Sequence, residues 1–142
     1  MPASGLIDTG AILALVDRRD RWHEACVKAF QQVHLPLITS EAVLTELLHL
    51  VGDNAREVRA AWKFIRSGAL TIFPIADSDL HALGTLLEKY SDRPMDFADA
   101  TLVYIAERKS ITLILTIDRD DFETYRIQGR RRFRIVPAPR VP

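Results

Sequence analysis

A single cysteine, Cys26, in 142 residues excludes an intrachain disulfide and any zinc site built on several thiolates. The four histidines, His23, His34, His49 and His81, include no pair one helical turn apart, so the usual imidazole metal motifs are missing too. No run approaches the ~18 apolar residues that a membrane-spanning helix needs. Residues 1–5 carry neither the basic region nor the apolar core of a secretory signal. The expectation is a cytoplasmic protein with no membrane segment. Formal net charge is also lacking, because 19 basic residues balance 19 acidic ones. That balance hides an asymmetry. Every acid lies before position 126, and the last 17 residues hold six arginines and no acid.

What is present suits an ordinary globular chain. Hydrophobic residues make up 48% and charged residues 27%, a composition unlike that of disordered, collagen-like or membrane chains. The length fits one domain, 1–142, with a sizeable core. No repeat, linker or low-complexity segment divides it. Short apolar runs alternate with longer amphipathic stretches, the pattern of strands joined by crossover helices in a parallel sheet. Strands are expected over 5–7, 35–39, 71–75, 112–116 and 133–136. Helices are expected over 11–17, 21–32, 40–51, 54–67, 77–90, 94–108 and 120–126. The fold class is therefore α/β, with a central parallel sheet of about five strands and helices on both faces.

Five acids stand where a folded chain should resist them. Asp8 follows Leu6-Ile7, Glu46 interrupts the apolar stretch 42–51, Asp96 and Asp99 flank Phe97-Ala98, and Asp118 ends the run 113–117. A carboxylate at the edge of a core must be solvated, paired or coordinated, since an isolated buried charge costs several kcal/mol or is neutralised by protonation. The sequence offers these five no obvious basic partners. Oxygen-rich sites suit hard cations, so Mg²⁺ or Mn²⁺ is the implied ligand. In open parallel sheets such sites form beyond the carboxyl ends of the strands, near the point where strand order reverses.

Ordinary roles exist for most of these groups. Asp8 and Asp96 could cap the helices that follow them, and Asp99 could favour the positive end of a helix dipole. Asp118 could sit in an Asx turn. Glu46 resists such an account, because it lies in mid-helix between Leu44, Leu47 and Leu48. The segment Arg126-Ile127-Gln128-Gly129-Arg130-Arg131-Arg132-Phe133-Arg134 reads either as a solvated turn and edge strand or as a phosphate-contacting patch. Trp62 and Phe64 read either as core or as part of an interface.

Four blocks in order resemble the PIN-domain nucleases, and among them the VapC-type toxins of toxin–antitoxin pairs. Leu6-Ile7-Asp8-Thr9 is similar to the opening strand with its first metal-binding acid. The segment Thr39-Ser40-Glu41-Ala42-Val43-Leu44-Thr45-Glu46-Leu47 is similar to the second block, whose acid falls on Glu46 rather than Glu41. Met95-Asp96-Phe97-Ala98-Asp99-Ala100 is similar to the third, with Asp99 as its main acid and Asp96 as an additional one. The run from Leu113 to Phe122 is similar to the closing block, with Asp118 as the fourth acid, Thr116 as the supporting hydroxyl and Asp121 as the competing acid.

The resemblance implies metal-dependent endonucleolytic hydrolysis of RNA by Asp8, Glu46, Asp99 and Asp118, with Thr9, Thr116, Asp96 and Asp121 in support and Mg²⁺ or Mn²⁺ as cofactor. It implies a cognate VapB-like antitoxin and a homodimer, for which the stretches 43–51 and 60–65, with Trp62, could supply the surface. RNA contacts would fall to Arg119, Arg130, Arg131 and Arg132. Three other readings differ in chemistry or setting. A phosphohydrolase of the haloacid-dehalogenase type would need a second aspartate at position 10, where Gly10 stands, and a lysine that neither Lys89 nor Lys109 is placed to provide. A non-catalytic PIN-fold binding module would have lost an acid from one of the blocks, and none is lost. An RNA-processing nuclease outside toxin–antitoxin systems shares the same acids.

Overall fold

The computed structural model describes residues 4–139. Residues 1–3 of the amino-terminal segment and Arg140 of the arginine-rich tail lie outside them. Five short strands, β1 (Leu6–Ile7), β2 (Leu37–Thr39), β3 (Leu70–Ile72), β4 (Leu113–Leu115) and β5 (Arg134–Val136), form one parallel sheet in the order β3-β2-β1-β4-β5. Among the described residues seven α-helices flank it: α1 (Thr9–Val16), α2 (His23–Gln32), α3 (Glu41–Val51), α4 (Ala55–Ile65), α5 (Leu80–Lys89), α6 (Phe97–Lys109) and α7 (Arg119–Thr124). This is the expected α/β architecture. The chain winds from β1 outward through β2 to β3, then returns to the other side of β1 to lay down β4 and β5. Strand order therefore reverses between β1 and β4, where a crevice opens past their carboxyl ends.

Boundaries move from the sequence expectation for local reasons. The first helix begins at Thr9 rather than 11, because Asp8 accepts from the Thr9 amide at 2.7 Å and caps it. The sixth begins at Phe97 rather than 94, because Asp96 caps it through Ala98 N at 2.8 Å. The stretch 77–90 divides into a 3₁₀ turn, Asp77–Asp79, and α5, where the Asp79 carboxylate bonds back to the Ala76 amide. The second strand starts at Leu37 and the third stops at Ile72. Pro36 and Pro74 lie just beyond those ends, and neither has an N–H to extend a ladder.

Two helices carry the packing that places the crevice. Nine consecutive residues of α6, Ala98 to Ala106, are buried, so along that stretch the helix is covered on every side and runs through the interior. Ser40 Oγ, the cap of α3, meets Thr101 Oγ1 of α6 at 2.8 Å, which ties the two helices together in a dry setting. At the opposite edge Phe122 of α7 is fully buried and packs edge-on against Tyr125 and Phe133. Phe64 packs against Phe30 with centroids 5.7 Å apart. Trp62, by contrast, is 44% exposed, so the core reading of that residue is wrong. It lies on the outer side of an amphipathic helix whose buried position is Ala61.

Phe122→Ala should remove about 3–5 kcal/mol of stability by emptying a filled site. Urea unfolding followed by circular dichroism would show the lowered midpoint.

Candidate metal centre

Asp8 stands one residue past β1, and its amide still donates to Leu115 O of β4 at 3.0 Å. The ladder thus carries it to the strand-order reversal. Its carboxylate divides its two oxygens: Oδ1 caps α1, and Oδ2 accepts from Thr116 Oγ1 at 3.0 Å. That same hydroxyl accepts from the Asp118 amide at 3.0 Å. One threonine therefore fixes the ends of β1 and β4 relative to each other. Thr39 Oγ1 does similar service on the other side, donating to Ile7 O at 2.9 Å.

Beyond these ends lies a cavity of about 350 Å³ lined by Asp8, Gly10, Glu46, Leu50, Pro94, Asp96, Asp99, Ile117, Asp118, Asp121 and Tyr125. All five acids singled out in the sequence line it, together with Asp121. Carboxylate oxygens of Asp99, Asp118 and Asp121 come within 4.8 Å of one another. Asp118 and Asp121 lie three apart across the start of α7, so they share a face. Both carboxylates reach the same cluster. Asp96 is exposed at its cap position and stands outside that trio, and Glu46 is half-buried beside it.

Crowding and dehydration hold these groups toward the protonated state. Burial, with the neighbouring Asp8 charge second, pushes Asp99 up to about 8. Burial pushes Asp8 up to about 6, against hydrogen bonds from Thr9 and Thr116 that act the other way. Asp118, although exposed as a residue, is pushed up to about 6 by partial loss of hydration and by Asp121 alongside. Glu46 is raised by burial and by the charge of Asp96.

The donor set fits a hard divalent cation. Among the described residues none of the five acids takes part in an ion pair, and every candidate ligand offers oxygen. Thr9 Oγ1 is buried with no hydrogen-bond partner, although it lies near enough to Glu46 to favour that residue's charge. A cation with its hydration shell would satisfy this orphan and offset the repulsion among the acids. Asp8, Glu46, Asp99, Asp118 and Asp121 are the residues that could hold it.

Two residues at the site carry no sequence signal. Tyr125 is 3% exposed and donates from its hydroxyl to Asp99 Oδ2 at 2.9 Å. Its ring is wedged edge-on between Tyr90 and Phe122. Arg93 holds Asp121 Oδ1 at 2.9 Å and Thr124 Oγ1 at 2.9 Å, so one acid of the trio does have a basic partner. Both side chains reach Asp99 or Asp121 across some 26 to 28 residues of sequence, which spacing alone does not reveal.

None of the basic residues named from sequence lines this cavity. Arg119 donates to Pro137 O at 2.8 Å and pairs with Glu123 at 3.4 Å, pinning the segment after β5. Arg130, Arg131 and Arg132 are exposed on a turn closed by the Ile127–Arg131 bridge, and none of them lines the acidic cavity.

The PIN domain model matches residues 5–127. The chain belongs to the PIN domain family. Within it, the chain is 29% identical over 134 residues to ribonuclease VapC26 of Mycobacterium tuberculosis (strain ATCC 25618 / H37Rv), covering 93% of this chain and 99% of that protein. The crystal structure of M. tuberculosis VapC20, described as a sarcin-ricin loop cleaving toxin, superposes with a TM-score of 0.73 at 21% identity, covering 83% of this chain and 94% of that one. The PIN fold and the VapC likeness thus agree with the resemblance carried by the four acidic blocks.

The raised carboxyl groups of this PIN domain fix a sign for its pH dependence. A carboxyl whose folded pKa exceeds its unfolded value binds more protons when folded, so stability falls as pH rises between the two. For Asp8, Asp118 and Asp99 that window runs from the ordinary 3.8 up to about 6, about 6 and about 8. The metal-free protein should therefore lose melting temperature from these groups across that range, and Mn²⁺ should restore most of it at the alkaline end. Thermal melts at several pH values, with chelator or with Mn²⁺, would show this. Calorimetry should also find Mn²⁺ affinity rising with pH, because protons must leave as the cation binds.

Proposed function

We propose that this protein is a Mg²⁺- or Mn²⁺-dependent endoribonuclease and the toxin of a VapBC-type toxin–antitoxin pair, its 142 residues forming one PIN domain. The observation that carries the reading is the convergence of six acids on one cavity at the β1–β4 reversal, three of them with oxygens within 4.8 Å. The likeness to ribonuclease VapC26 along nearly the whole chain supports RNA as substrate. A VapB-like antitoxin, a homodimer and a cytoplasmic setting belong to the same reading. No helix among the described residues is long and apolar enough to cross a membrane.

In this reading Asp8, Glu46, Asp99 and Asp118 hold the cation, and Asp121 and Asp96 complete the acidic wall. When bound, Mg²⁺ or Mn²⁺ lowers the pKa of water and neutralises charge on the scissile phosphate. The chain's own groups do the positioning. Thr116 keeps the Asp8 carboxylate at a set separation from the Asp118 backbone, donating to the first and accepting from the amide of the second. Tyr125 occupies one oxygen of Asp99 and leaves the other free to face the cavity. Glu46, raised by burial and by the charge of Asp96, would release its proton as the cation binds. Arg93 is half-exposed at the lip, where it can turn from Asp121 toward an approaching phosphate.

Purified protein should cut RNA into discrete products with Mg²⁺ or Mn²⁺. Cleavage should vanish with EDTA and fall by at least a thousandfold in Asp8→Asn, a change that keeps a cap acceptor while removing the charge. Intact RNA with metal, after any copurified inhibitor has been removed by denaturation and refolding, would favour a non-catalytic module. Tyr125→Phe should weaken Mn²⁺ binding by roughly 10- to 100-fold, measured directly by calorimetry. Asp99→Asn should weaken it further.

A further inference from the structure

The outer side of α4 carries a site that the acidic cavity does not use. Arg59 lies three and four residues before Trp62 and Lys63, and Arg66, the cap residue, lies four and three after them, so the four form one stripe along the helix. All four are exposed, and Trp62 presents 44% of its surface. With Val58 and Ser67 they line a shallow groove. Among the described residues none of the three cationic side chains has an ion-pair or hydrogen-bond partner, and no acid lines the groove. The nearest acid on the helix, Glu57, lies on another face and is engaged by Arg19 at 2.7 Å.

An indole left in water between unpaired cations is the arrangement that takes single-stranded nucleic acid, with a base stacked on the ring and phosphates on the charges. We propose that this stripe is a second, metal-independent contact for single-stranded RNA, separate from the acidic cavity. The ribonuclease reading enters only in the choice of RNA over DNA. The carboxyl-terminal arginines, by contrast, stand on a turn with no exposed aromatic, since Phe133 and Tyr125 beside them are buried. Self-association through the stripe is disfavoured by the same charges. A two-fold interface centred on Trp62 would set three cations against three like charges of a second copy.

The test is binding of a 5′-labelled single-stranded RNA of about 12 nucleotides, within the span one such site covers. It is followed by fluorescence anisotropy in EDTA over a salt series. The Arg59→Ala/Lys63→Ala/Arg66→Ala variant should raise Kd at least tenfold. It should also flatten the slope of log K against log salt by about 2, the value for three lost phosphate contacts on a single strand. Trp62→Ala should raise Kd between about five- and a hundredfold with the slope unchanged, and Trp62→Phe should recover most of the loss. In a Trp22→Phe background, which leaves Trp62 as the sole tryptophan, RNA should quench the remaining emission.

The proposal fails if both α4 variants bind like the parent. It also fails if affinity is lost only in Arg130→Ala/Arg131→Ala/Arg132→Ala, or if duplex RNA binds as tightly as the single strand regardless of residue 62. An acidic protein that occupies the stripe while RNA does not would overturn it as well. Because metal is chelated throughout, an Asp8→Asn protein that cannot cut RNA still reports on this site. Failure of the nuclease reading is therefore visible separately.

Discussion

Mutual repulsion among carboxylates gathered at the ends of β1 and β4 is the constraint the rest of the structure answers to. Six acids line one cavity of about 350 Å³, and Asp99 is held protonated up to about 8 by burial and by Asp8. Such an assembly is unfavourable by itself, and the surrounding fold opposes its dispersal. Thr116 bridges two of the acids, two acids are tied into helix starts as caps, and Asp99 is locked to Tyr125. The buried length of α6 anchors the third block against α3 through Ser40 and Thr101. The cavity is thus a concentration of negative charge maintained by a neutral, well-packed frame, and a hard cation is the natural counterweight.

Much of this was legible in the residues because it obeys local rules. Apolar runs of strand length, each followed by an amphipathic stretch, announced a parallel sheet. An acid just past a strand marks the carboxyl edge of that sheet, so the places of Asp8 and Asp118 follow from the sequence. Glu46 stood out because mid-helix acids between leucines have few ordinary uses. The helix starts were blurred because the acids that end the loops also cap the helices, which shifts α1 two residues earlier and α6 three later.

What was not legible depends on contacts between distant segments. Tyr125 and Arg93 touch the cluster only because α7 folds back against the loop before α6. Trp62 could not be assigned because an aromatic on an amphipathic helix faces inward or outward according to which neighbour covers it, and nothing in the local pattern says which. Arg119 looked available because its partner is a backbone carbonyl, Pro137 O, and carbonyls carry no sequence signature. Charge counted along a chain thus overstates what is free at the surface.

On the proposed nuclease reading, the double duty of Asp8 sets activity and endurance against each other. Its backbone-facing oxygen supports α1, while its charge is disfavoured by burial and by its acidic neighbours. Asparagine would keep the first property and discard the second, so the silent form of this chain would be the sturdier one in the absence of metal. On that reading the native residue gives up durability at one position to keep the proposed reactive centre. In a cell that limits free divalent cations, that concession would shorten the lifetime of the metal-free molecule before it silenced the loaded one.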